Sequence, residues 1–443
     1  MKKFNSLIKG TFILTLAGLL SRIIGFFYRI FLSHTIGAEG VGIYQMVFPV
    51  FAISFSITSA GIQTAISKYV AAKHSKRSSY FLAGLTLSVF LSALCSTILY
   101  RYSENIARLI LLEPRCAPLI RLLALSIPFE SIHCCVNGYF LGLKKTIVPS
   151  ITQLIEQSIR VSSVFAIYYY LLSRGLQPLL SVAVIGIVIG EFFAMIFSIL
   201  AIYLHFIKEK CLLSFETSHC TDILKMSIPL TGNRLVITLL ASMEAIYIPN
   251  RLLFHGLTTS ESLSIYGVLT GMALPLILFP SALTNAVAVL LLPIISEADA
   301  KNQQIIIKKA VSKTIRYCVL LGVFCNVFFL IIGDYAGILL FKNEMAGTFI
   351  KTLSFVCPLL FLNTPLTSIL HGLGKTFTSF CFNIVGLGIR LLFVFFAIPL
   401  YGIKGYLLGL IISQSICLIL TLLAINHYVD LGPNVKKHRV EIR

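Results

Sequence analysis

Arg22 and Arg29 lie inside the apolar stretch GTFILTLAGLLSRIIGFFYRIFL, seven residues apart. That spacing is close to two turns of an α-helix, so the two guanidiniums fall on nearly one face. A charge at bilayer depth is costly unless it faces a wet cavity or a partner. No acidic residue occurs in the same stretch, so the anion must come from elsewhere. The planar guanidinium fork donates two parallel hydrogen bonds to phosphate oxygens, and phosphate or pyrophosphate is the anion such a pair suits. Arg234, beside Asn233 at the start of a later apolar run, is the third candidate ligand.

The remaining charged residues inside apolar runs suggest other roles. Glu156 and Arg160 are four apart on one helix face, a spacing that lets them neutralise each other as a structural ion pair. Glu244 lies deeper in the Arg234 run, and Glu191 has no cationic neighbour in sequence. Both are candidate proton or Na⁺ coupling sites or cavity residues. Arg251 closes its run, where snorkelling to the interface is easy. The eleven cysteines form no CxxC and no Cys/His ligand spacing, so neither a metal site nor a disulfide framework is expected. No nucleophile, base and orienting group assemble, so the chain reads as a non-enzyme that needs no cofactor. Coupling to a Na⁺ or H⁺ gradient, or to the membrane potential, stays open.

These residues must be positioned by membrane helices. Of 443 residues 57% are hydrophobic and only 12% charged, against about 25% charged in a soluble domain. Runs of about 20 apolar residues give twelve candidate spans, centred near Leu20, Ser56, Phe90, Phe129, Ser158, Glu191, Leu239, Leu278, Cys325, Leu360, Ile389 and Ser413. The first is too long and too charged for a signal peptide and is read as a retained span. The net charge of +19 resides in short loops, which points to membrane topology and not to a nucleic-acid partner. Lys73, Lys76, Arg77, Lys144, Lys145, Lys208, Lys210, Lys301 and Lys375 fall in one alternating set of loops, with the terminal Lys2, Lys3, Lys436, Lys437 and Arg439. The other set carries Glu39, Glu104, Glu113, Glu261, Asp334 and Glu344. Both termini are therefore expected to be cytoplasmic, in a multi-pass protein of the cell membrane.

The chain also repeats itself. Gly142-Leu143-Lys144-Lys145-Thr146 recurs as Gly372-Leu373-Gly374-Lys375-Thr376, and Pro128 and Arg160 recur as Pro358 and Arg390, all 230 positions on. Ile43-Tyr44 recurs as Ile265-Tyr266 at a shift of 222. Six spans per repeat start both halves on the same side, which makes the repeats parallel. The expected architecture is all-α: about twelve transmembrane helices in two six-helix lobes around a central cavity. Residues 1–212 form the first lobe and 213–443 the second with a short basic tail, and the linker is Lys208–Lys225. Prolines inside spans, among them Pro49, Pro229, Pro275 and Pro365, permit kinks.

Ser21-Arg22-Ile23-Ile24-Gly25-Phe26 followed by Ile36-Gly37-Ala38 resembles the first helix and loop of the bacterial lipid II flippases. Glu244-Ala245-Ile246-Tyr247-Ile248-Pro249-Asn250-Arg251-Leu252, Gly271-Met272-Ala273-Leu274-Pro275-Leu276 and Leu292-Pro293-Ile294-Ile295-Ser296-Glu297-Ala298 resemble the stage V sporulation protein B group of polysaccharide transporters. The resemblance covers essentially the whole chain. It implies the fold of the multidrug/oligosaccharidyl-lipid/polysaccharide exporter superfamily, alternating access of two lobes, and undecaprenyl-pyrophosphate-linked sugars as cargo, with peptidoglycan of the spore cortex as the sporulation members' destination. Arg22 matches a cavity arginine of the flippases, whereas Arg29 stands one position from their second. The relatives' two extra C-terminal helices have no counterpart here, so their lipid groove is expected to be absent.

The reading is a flippase for a lipid-linked oligosaccharide, lipid II or a close relative. Arg22, Arg29 and Arg234 would receive the pyrophosphate, and membrane lipids and cell-wall synthesis proteins would be its surroundings. The alternatives are an ion-coupled multidrug or small-molecule antiporter using Glu244 or Glu191, and a non-transporting scaffold for wall synthesis.

Overall fold

The computed structural model describes residues 2–73, 76–176, 180–210 and 215–429, with side chains omitted at 2–9, 11 and 12. Among them every regular element is helical. Ten segments are long and apolar enough to cross a bilayer, or eleven with the pair Glu344–Ser354 and Cys357–Gly372, which bends by 55°. Three local features reconcile this count with the twelve expected spans. Ile13–Ala72 is 60 residues long and holds two crossings, divided at Gly37 where φ is 70° and ψ 178°. Thr259–Leu278 and Ser281–Ala300 are separated only by the two-residue turn Phe279-Pro280 and are counted together as one. Ile147–Ser173 is 27 residues long, but Glu156, Gln157 and Arg160 lower its hydropathy.

The first and second spans therefore meet at Gly37, and the third to seventh are Arg77–Arg101, Ala117–Gly142, Ile147–Ser173, Ser181–Lys208 and Thr217–Phe254. The eighth is the broken Thr259–Ala300, the ninth Gln304–Phe341, the tenth the bent pair, the eleventh Thr376–Tyr401 and the twelfth Ile403–Val429. The duplication is visible in the packing. The end of the second span lies on the fourth, and the end of the eighth, Ser281–Ala300, lies on the tenth in the same manner. Two six-helix lobes result.

At the end of the bundle that carries Glu39 and Glu261 the lobes touch directly. A Cβ on Gly42 would stand 2.1 Å from the Leu263 carbonyl oxygen, and one on Gly267 would stand 2.1 Å from the Ala38 oxygen. Only glycine lets the second and eighth spans approach so closely. Glu39 tightens this seal, accepting from Arg115 of its own lobe and from Ser260 of the other, both at 2.7 Å.

The seventh span links both lobes. Near its start, Tyr80 donates to Asp222 at 3.0 Å, Ser79 pairs with His219 at 2.7 Å, and Lys76 reaches Glu216 at 3.1 Å. Further along, Glu244 pairs with Arg390 of the eleventh span at 3.3 Å. The expected linker Lys208–Lys225 is thus shorter in structure, since the seventh helix already begins at Thr217. Its early polar residues, Asp222 among them, are satisfied by the first lobe. The expected division at 212/213 and the basic tail with Lys436, Lys437 and Arg439 lie outside the described residues.

Candidate anion site between the lobes

A cavity of about 630 Å³ opens between the first, second and fifth spans of one lobe and the eighth of the other. Its walls run from Leu32 and Tyr44, beside the seal, to Ser21 and Ser281, further from it. Three guanidiniums line it, from Arg22, Arg29 and Arg160, with Gln45, Gln157, Thr270 and the phenols of Tyr28 and Tyr44. None of its described lining residues is acidic. This volume lies in the range of small-molecule sites.

The two arginines of the first span differ in environment. Arg22 is exposed within the cavity and meets no carboxylate among the described residues. Arg29 is half-buried and donates Nη1 to the Thr270 carbonyl at 3.3 Å, across the lobe boundary. Thr270 lies in the π-helical stretch Val268–Ala273, where the hydrogen-bond ladder shifts and carbonyls become available to side chains. A neutral carbonyl leaves the Arg29 charge uncompensated. Arg234 stands elsewhere, exposed and 5.0 Å over the Phe55 ring, and is not part of this cavity's lining.

Arg160 enters from the fifth span. Its Nη2 contacts Glu156 Oε1 at 2.5 Å and Glu191 Oε1 at 3.3 Å. The i,i+4 pair expected from sequence is present, but it is one part of a larger cluster. Glu191, without a visible partner in sequence, is held by Arg160 and by His133 Nε2 at 2.6 Å. Tight packing of the fifth and sixth spans allows this. A Cβ on Gly190 would lie 2.8 Å from the Glu156 carbonyl oxygen and 3.1 Å from the Arg160 Cβ. Glycine here brings the neighbouring Glu191 up to the guanidinium. The oxygens of Glu156 and Glu191 and a nitrogen of His133 lie within 4.8 Å of one another. The Arg160 guanidinium already binds both carboxylates, so the group is an ion-pair cluster and not an open metal centre.

The second lobe solves the same problem differently. Arg390, the repeat counterpart of Arg160, pairs with Glu244 at 3.3 Å, and Tyr406 donates to that carboxylate at 2.8 Å. Arg390 lines a separate cavity of about 250 Å³ with Asn363, Asn383 and Gln414. Arg251 closes the seventh helix among aromatic rings. Its guanidinium lies over the rings of Phe395, Phe254 and Tyr247 at 4.6, 5.1 and 5.9 Å, a cation–π arrangement.

Sequence reasoning missed His133 as a partner of Glu191 and Arg160 as a cavity residue. The 230-residue repeat carried a signal for the latter, because it marks an arginine at one place in both lobes.

The geometry defines a class: a twelve-helix, two-lobe membrane protein with a basic cavity between its lobes. The model of the polysaccharide biosynthesis protein family matches residues 7–299, and the chain belongs to that family. It is similar to stage V sporulation protein B of Bacillus subtilis (strain 168), with 26% identity over 98% of this chain and 86% of the relative. Among solved structures, the lipid II flippase MurJ in an inward closed conformation superposes with a TM-score of 0.75, at 15% identity, covering 94% of this chain and 87% of that one. An inward-facing multidrug resistance MATE family transporter of the MOP superfamily gives 0.70, also at 15% identity, over 92% and 94%. The fold is the one shared by these two MOP-type transporters.

Proposed function

We propose that this protein is a flippase for an undecaprenyl-pyrophosphate-linked oligosaccharide, lipid II or a close relative, in the cytoplasmic membrane. The observation that carries the reading is the cavity lined by Arg22, Arg29 and Arg160, with no acidic residue in its described lining. Arg22 and Arg29 have no carboxylate partner among the described residues; uncompensated guanidiniums at bilayer depth call for an anionic ligand, and a diphosphate offers oxygens for several forks at once. A cation exporter needs the opposite lining, so the basic walls weigh against the antiporter alternative.

With the basic loops on the cytoplasmic side, the Gly42–Gly267 seal faces outward. The pyrophosphate then loads from the cytoplasmic side onto Arg22 and Arg29 while the isoprenoid tail remains in lipid. Arg234 lies on the seventh span, which contacts both lobes, and we assign it a place on the entry route outside the cavity. The likeness to a sporulation protein supports spore cortex peptidoglycan as the destination. Glu244, held by Arg390 and Tyr406, is read as structural support of the second lobe.

A strain lacking the gene tests this reading. It should accumulate a pyrophosphate-linked lipid precursor under the conditions in which the gene is expressed, with relief by the wild-type chain but not by Arg22→Ala. Full relief by Arg22→Ala, or no accumulation, overturns it.

A further inference from the structure

Arg160 belongs at once to the cavity wall and to a buried cluster of titratable groups. One Nη nitrogen serves both Glu156 and Glu191, and its Nε is buried with no partner among the described residues. Behind it, His133 Nδ1 and Glu130 Oε2 are also buried without partners among the described residues, and both residues are more than nine-tenths buried. The groups facing this cluster come from every element packed around it. They are Glu130, His133 and Cys134 of the fourth span, Glu156 and Arg160 of the fifth and Glu191 of the sixth. Tyr28 of the first span, Tyr44 of the second and Arg234 of the seventh complete the set.

The charges do not balance unless protons are held. Three carboxylates, Glu130, Glu156 and Glu191, face two guanidiniums, Arg160 in contact and Arg234 beyond ion-pair distance, with His133 as the other base. A buried group of this kind keeps its net charge small by binding protons.

We propose that anion binding in the cavity is coupled to proton uptake by this cluster, with Arg160 as the coupling residue. The inference rests on the reading of the cavity as a pyrophosphate site. Phosphate oxygens arriving beside Arg22 and Arg29 compete with Glu156 and Glu191 for the Arg160 guanidinium. As its hydrogen bonds turn to the phosphate, a carboxylate loses its cation and takes a proton from solvent, the carboxylate and proton giving a neutral carboxyl. No covalent bond to the ligand forms or breaks. Linkage makes the effect reciprocal, so a protonated cluster frees Arg160 and tightens anion binding. Cargo loading from the cytoplasmic side would then bring a proton with it.

Calorimetry with inorganic pyrophosphate and the purified full-length protein tests this, run in two buffers of different ionisation enthalpy to count protons. Pyrophosphate's own titration is common to all variants and cancels in comparison. The wild type should take up about one proton more per bound anion than Glu191→Gln or Arg160→Gln. Glu156→Gln serves as the second variant should Glu191→Gln fold poorly. Equal proton counts with retained binding overturn the coupling and leave the anion site standing. No binding to the wild type overturns the site itself.

Discussion

At the scale of single residues, the cavity arginines carry the account. Arg22 offers an exposed guanidinium with no carboxylate to release first among the described residues, so its removal should appear directly in anion affinity. A charged hydrogen bond is worth about 1.5–3 kcal/mol, so Arg22→Ala should weaken pyrophosphate binding about 10- to 100-fold by calorimetry. Arg22→Lys, which keeps the charge but not the fork, should fall between. In the other lobe, Arg390→Leu leaves Glu244 buried with Tyr406 as its remaining partner. That should cost about 3–5 kcal/mol, read as a lower Tm, with most of it recovered in the double variant Glu244→Gln/Arg390→Leu. A double variant as unstable as the single one would show that the pair is not what holds this part of the lobe. Much of this was legible in sequence, because charges in apolar runs stand out and i,i+4 spacing identifies Glu156–Arg160. What was not legible was any partner on another helix. His133 and Glu191 are 58 residues apart and Glu244 and Tyr406 are 162 apart, and only packing brings them together.

At the scale of elements, close helix approach decides what the charges can reach. Small residues let membrane helices pack tightly, and Gly190 does so between the fifth and sixth spans. Gly190→Ala should push the sixth span outward and lengthen the Arg160–Glu191 contact. The expected outcome is a lower Tm together with loss of the excess proton uptake, while pyrophosphate still binds through Arg22 and Arg29. Unchanged stability and proton count would show that the sixth span tolerates the methyl group. The existence of twelve spans could be read from apolar runs and their parallel repetition from recurring motifs. Their breaks could not. Gly37 looks like any loop glycine in sequence, and its non-helical φ of 70° and ψ of 178° emerge only in the structure. The start of the seventh helix was hidden for a different reason: its first turns are polar because the first lobe supplies partners such as Tyr80 and Ser79.

For the whole molecule, the lobes are joined at one end by backbone packing more than by charge. Arg115 pairs with Glu39 inside the first lobe, and the Glu39 contact that crosses to the second is a hydrogen bond from Ser260, worth about 0.5–1.5 kcal/mol. Gly267→Val should therefore open the seal far more than Glu39→Gln. Spin labels at Arg108→Cys and Thr259→Cys, on opposite sides of the seal, should report a longer distance in Gly267→Val and little change in Glu39→Gln. The reverse order would place the closure in the Glu39–Ser260 contact. The two-lobe plan and its basic interior were foreseeable from duplication and from unpaired arginines. Which arginines converge was not, since Arg160 reaches the cavity and Arg234 stands beside Phe55 only through the folding of the lobes. The most direct test of the central claim is translocation of fluorescent lipid II in proteoliposomes holding the purified chain. The account predicts that wild type moves the lipid between leaflets and that Arg22→Ala is slowed at least about tenfold, in line with its lost phosphate contacts. Equal rates in the two, or no movement by the wild type, would contradict it.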